Sequence, residues 1–121
     1  MIEIGLHTAL SALATTYPSF LPQERSLPAL VYSRVSTART QTHDGPTGLV
    51  AARIQITAHA ATYAATLALV GQVVAALNGY SGPLGTVAVG NVEIVNEVDL
   101  GYRLETTSHQ IAVDAIVHYQ E

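Results

Sequence analysis

The sequence predicts an α+β domain, an antiparallel or mixed sheet of four to five strands with two helices packed on one face. Two stretches carry apolar residues at helical steps, one near the N-terminus and one over residues 62–78. The segments between and after them are rich in β-formers or alternate in polarity. Together these set the element order α-β-β-α-β-β, with a third β segment possible at the end.

Ile2, Leu6, Ala9, Leu10 and Leu13 recur at three- and four-residue steps, which places them on one face of a helix. The pattern stops at Thr15, Thr16 and Tyr17, because the residue before Pro18 is driven out of the helical region. Residues 18–28, PSFLPQERSLP, hold three prolines and read as an extended connector. Ala29 to Thr37 (ALVYSRVST) then reads as a strand starting after Pro28.

The run ARTQTHDGPTG carries Asp44-Gly45-Pro46 and Gly48, so Arg39 to Gly48 is expected as a long polar loop. Leu49 to Ala58 reads as a strand antiparallel to the first. Tyr63, Leu67, Val70, Val74 and Leu77 then step by four and three, with Thr62 as N-cap and Gly79 just beyond the end. Gly71 inside this helix costs about 1 kcal/mol against alanine, so close packing is expected there. Thr86 to Val95 and Leu100 to Thr106 read as two strands, with Gly90 marking a bulge. In the last strand Ile111, Val113, Ala115, Val117 and Tyr119 share one face, and Ala112, Asp114, Ile116 and His118 the other.

Composition narrows the function. The 121 residues make one domain, spanning 1–121, and 49% of them are hydrophobic against only 12% charged. That charge share is about half the usual one, so a domain of this size has apolar surface to spare for subunit contacts. Lysine is absent; the cations are Arg25, Arg34, Arg39, Arg53 and Arg103, and the net charge is −4. Without a basic cluster in sequence, binding nucleic acid for its own sake is not expected, whereas a neutral or acidic channel that DNA passes through is compatible. Zero cysteines remove disulfides, thiolate zinc sites and cysteine nucleophiles. No segment reaches the length of a membrane span, and the N-terminal stretch lacks a basic n-region and contains Glu3 and His7, unlike a signal peptide.

Four features carry a resemblance over essentially the whole chain. They are the opening helix MIEIGLHTALSALA, the Pro-rich connector into LPALVYSRVS, the uninterrupted HDGPTGLVAARIQITAHAATYAATLALVGQVVAAL, and the closing GYRLETTSHQIAVDAIVHYQ. With this element order, the chain resembles the small tail-completion, or tail-terminator, proteins of long-tailed bacteriophages. The resemblance implies a structural virion protein and not an enzyme, without cofactor or metal. It implies a ring, usually of six identical subunits, on the head-proximal end of the tail tube, assembled in the host cytoplasm. The implied partners are the chain itself, the tail tube protein and the head connector or stopper, with DNA crossing the lumen unread. A closed ring needs a heterologous interface. Candidate contact residues are Arg39, His43 and Asp44 in the polar loop, and Arg34 and Arg53 on adjacent strands. Guanidinium forks suit carboxylates of the next subunit, the alternative being an ion pair within the chain.

Other chemistry finds less support. His7, His43, His59, His109 and His118 show no metal-ligand spacing, and His43-Asp44 sits in a turn without further ligands. Ser108, His109 and Asp114 form a catalytic set only on paper, since no nucleophile elbow accompanies them. Two other readings stay open: another head–tail connector, stopper or tube component, or a small dimeric α+β ligand-binding domain with a pocket.

Overall fold

The computed structural model describes residues 2–18, 28–42, 45–84, 87–103 and 108–120. In chain order these form α1 (Ile2–Ser11), β1 (Thr15–Pro18), β2 (Ala29–Thr42), β3 (Gly45–Ala60), α2 (Tyr63–Leu77), β4 (Gly82–Leu84), β5 (Val87–Arg103) and β6 (Ser108–Gln120). One six-stranded sheet runs β1-β2-β3-β6-β5-β4. Every neighbouring pair is antiparallel except β1 with β2, so the sheet is mixed.

The α+β class agrees with the sequence, and the strand count corrects it. Thr15–Pro18, expected only to end the first helix, is a strand held by pairing Thr15 to Ala29 through Pro18 to Tyr32. The three-residue β4 is too short to carry a periodicity of its own, and pairing with Val87–Val89 defines it. The two strands expected over residues 86–106 are one, β5. Its polar middle, Asn96 to Asp99, reads as a break, yet irregularities between Val89 and Asn91, Ile94 and Asn96, and Asp99 and Gly101 keep the ladder with β6 running. Gly90 falls at the first of these, as expected.

The long polar loop is also corrected. β2 continues to Thr42 and β3 starts at Gly45, with those two residues paired, so the described part of Arg39 to Gly48 is hairpin ladder. Gly48 adopts a φ of 80°, in the region that favours glycine. Most of the Pro-rich connector lies outside the described residues.

The core lies on one face of the sheet. Ala52, Ile54, Ile56 and Ala58 of β3 stand opposite Val117, Ala115, Val113 and Ile111 of β6, and all eight are buried. Leu6 and Leu10 of α1 and Leu69, Val70, Val73 and Leu77 of α2 close over them. Burying a side chain of this size contributes about 1.5–3 kcal/mol, so this layer dominates the fold's stability. The alternation read for the last strand is observed from Val113 to His118, while Ala112 on the other face is buried as well.

For α2 the sequence identified the ends and part of the face, since Val70 and Leu77 are buried and Val74 packs against the core. Thr62 Oγ1 accepts from Ala65 N–H at 3.2 Å, and Gly79 takes a φ of 74°. The buried stripe is Thr66, Leu69, Val70, Val73 and Leu77, while Tyr63 and Leu67 of the expected stripe are exposed. In an alanine-rich helix both stripes are nearly apolar, and packing on the sheet selects between them. The close approach expected at Gly71 is absent: a Cβ there would meet nothing within 4 Å.

α1 packs against both β1 and β4, strands from opposite edges of the sheet. The sheet therefore curls, and one of its diagonals is folded inward across the helices.

Candidate functional site

The solvent-facing side of the sheet carries cross-strand ion pairs. Arg53 Nη2 of β3 lies 3.1 Å from Asp114 Oδ2 of β6, and His118 Nε2 of β6 lies 3.1 Å from Glu93 Oε1 of β5. Arg53 thus makes an ion pair within the chain. The His118–Glu93 pair is open to water, where such contacts contribute roughly 0–1 kcal/mol, whereas Arg53–Asp114 is half-buried, with the carboxylate the more shielded partner.

Near one end of the same ladder, His59 Nδ1 lies 3.1 Å from Ser108 Oγ, with both residues buried. This pair is invisible in sequence, because 48 residues of chain intervene and only the β3–β6 register joins them. The paper triad is not formed. Ser108 and His109 alternate to opposite faces of β6, His109 lies beside Tyr63 and Tyr102, and Asp114 is engaged by Arg53. Ser108 is fully buried, which denies a nucleophile its substrate.

A groove of about 470 Å³ opens where the ends of β3, β5 and β6 meet, lined by Leu49, Ala88, Gly90, His118 and Tyr119 among others. Its lining offers no convergent acid, base and nucleophile of the kind a reaction centre needs. Among the described residues no group of three or more His, Cys, Asp or Glu side chains is arranged to hold a metal ion.

The most distinctive surface is the edge formed by β5. Val95, Val98, Leu100 and Tyr102 are between 37% and 49% exposed. Tyr63 of α2, also exposed, adds to this apolar surface. Glu97 and Asp99 are interleaved with it, and the Tyr63 hydroxyl donates to Asp99 Oδ2 at 2.7 Å. That bond, more than partial desolvation, raises the Tyr63 pKa above the ordinary phenol value of 10.0. The ring of His109 stands edge-on to Tyr63, 6.3 Å between centroids, and tilted against Tyr102 at 5.1 Å. A strip of apolar side chains on the edge of a sheet is costly to leave in water and marks a place of association.

At the opposite edge, β2 beyond Tyr32 exposes Arg34, Val35, Ser36, Ala38 and Arg39, with Val35 57% exposed. Two of the residues expected at a subunit interface, Arg34 and Arg39, therefore stand on a sheet edge. Arg53 lies on the adjacent strand, and His43 and Asp44 fall outside the described residues. The β5 strip was missed in sequence. Its signal was apolar residues at uneven spacing among carboxylates, which bulges turn into an exposed edge.

Comparison with known proteins identifies the family and the fold. The sequence profile of a family described as tail completion protein gp17 matches residues 6–118. A chain from the virion of a native gene transfer agent particle shares the fold, with a TM-score of 0.56 and 18% identity. The match covers 98% of this chain and 90% of that one. Comparison with curated proteins finds no match.

Proposed function

The chain belongs to the tail completion protein gp17 family, structural proteins of phage tails, and from that premise we propose that it forms a ring, six subunits around, capping the head-proximal end of a tail tube. The ring ends tube polymerisation and presents the surface on which the head connector docks. The observation that carries this reading is the apolar edge of β5, which a solitary chain leaves exposed and a ring contact covers. The composition supports it, since a chain with 12% charged residues gains by covering surface.

Charge fits the role. Six copies at −4 carry −24, and a lumen lined by part of that charge repels the phosphate backbone, so DNA slides through without being held. The absence of lysine serves the same end.

Light scattering over a concentration series, on the purified protein and on protein recovered from assembled tails, tests the ring. A discrete species near six times 12.7 kDa is expected. A stable dimer at every concentration sinks the proposal, and open-ended polymers would mark a tube subunit instead. Electron micrographs of particles made without the protein should show tails of uncontrolled length that carry no heads.

A further inference from the structure

Among the described residues the sheet has two half-edges with no strand beside them, and they are complementary. Along the outer side of β5, β4 pairs only with Val87–Val89. The turn after α2 carries that edge further: Gly79 N–H donates to the Val92 carbonyl at 2.8 Å, and Ile94 N–H donates to Asn78 Oδ1 at 3.5 Å. From Val95 to Tyr102 no backbone pairing on that side is present among the described residues. On β2, the outer neighbour β1 stops opposite Tyr32, and the exposed residues Arg34, Val35, Ser36, Ala38 and Arg39 follow, with Thr37 half-buried among them.

Charge, face and position match in turn. Glu97 and Asp99 pair with Val113 and Ile111, so they stand on the helix-covered side of the sheet. Arg34 and Arg39 pair with Ile54 and Val50, which places them on that same side. A sheet continued from β5 into β2 of another copy brings carboxylates and guanidiniums together on one face. The exposed apolar residues Val95, Val98 and Leu100 meet a half-edge that carries Val35.

Position is the third match. The open halves lie at diagonal corners, because β4 occupies the first part of β5 and β1 the first part of β2. Since α1 draws β1 and β4 together, the curl folds that diagonal inward, and a twisted sheet that folds one diagonal in turns the other out. β2 and β5 run in opposite senses, so copies related by rotation meet antiparallel, like most of the sheet's own ladders. The offset between the halves is also what closure needs, since strands closing into a cylinder must tilt and stagger. β1 and β4 then act as stops that set the register.

We propose that the open half of β5 pairs edge to edge with the open half of β2 of a second copy of this chain, head to tail, so that the ring is one continuous sheet. This rests on the ring reading and adds where the copies join. The chain has no cysteine, so introduced thiols report without background. Val35→Cys and Val98→Cys variants are prepared singly, mixed, assembled and treated with a short bismaleimide, both as purified rings and on tails. A cross-linked dimer is expected in the mixture and in neither variant alone, and the double variant should give a ladder ending at the ring. Rings of full mass without the mixed cross-link overturn the pairing and leave the ring standing, as does Val98→Cys linking to itself. Failure of the unmodified chain to form any discrete ring removes both. As a second measure, Glu97→Arg and Arg39→Glu should each weaken assembly at least tenfold and together restore it; lack of rescue counts against the pairing.

Discussion

The Tyr63 hydroxyl donates to Asp99 Oδ2 at 2.7 Å, tying the first turn of α2 to the open half of β5. Because Asp99 accepts from the neutral phenol, the Tyr63 pKa is raised above 10.0. A raised folded-state value means the bond's contribution is complete below pH 10 and is lost as pH climbs through the raised pKa. Alkaline melting curves should therefore fall less steeply for Tyr63→Phe than for the parent. The tyrosinate absorbance difference between the two should titrate above the usual phenol range. Identical alkaline profiles would show the link to be idle.

Helix α2 starts where Thr62 Oγ1 accepts from Ala65 N–H, and Thr66 Oγ1 donates to the Thr62 carbonyl at 2.8 Å. Thr62→Ala leaves one of the first-turn N–H groups to water and should cost about 1 kcal/mol in chemical denaturation. Thr62→Ser should recover most of it.

Gly71 is exposed on α2 with open space where a Cβ would stand. Gly71→Ala should raise the stability of the isolated chain by about 0.5–1 kcal/mol, the helix gaining what glycine's flexibility costs. If that variant is more stable but fails to form rings, Gly71 lies in a subunit contact.

The buried His59–Ser108 pair joins β3 to the start of β6. Removing the hydroxyl with Ser108→Ala takes a buried hydrogen-bond partner from the His59 ring and should cost about 0.5–1.5 kcal/mol, seen as an earlier denaturant midpoint with unchanged slope. An unmoved midpoint would mean that other contacts hold His59.

Val98 is 42% exposed on β5, so Val98→Asp should leave the folding of the single chain within about 0.5 kcal/mol of the parent. Assembly should nevertheless fail, because a carboxylate would enter the apolar contact beside Glu97 and Asp99. Light scattering next to a thermal melt separates the two effects. Normal rings from this variant would place the subunit contact elsewhere.

Local chemistry made much of this protein legible in its sequence. The ends of α2 at Thr62 and Gly79, the bulge at Gly90 and the alternation from Val113 to His118 each depend on a residue and its near neighbours, so a linear pattern records them. Composition alone excluded cysteine chemistry, since a count of zero needs no geometry. The resemblance to tail-completion proteins, carried by residues spread along the chain, agrees with the family match over residues 6–118.

Tertiary structure decided the rest. The choice of Thr66, Leu69, Val70, Val73 and Leu77 as the buried stripe of α2 belongs to the sheet beneath it, because in a helix of small apolar residues the sequence offers two faces of similar hydrophobicity. β1 and β4 are strands only because β2 and β5 lie beside them, and β5 stays one strand through Asn96 to Asp99 because β6 pairs along its length. The open halves of β2 and β5 exist for the same reason. An edge is defined by which neighbour stops where, and strand pairing joins residues far apart in sequence, so no local run of residues encodes it.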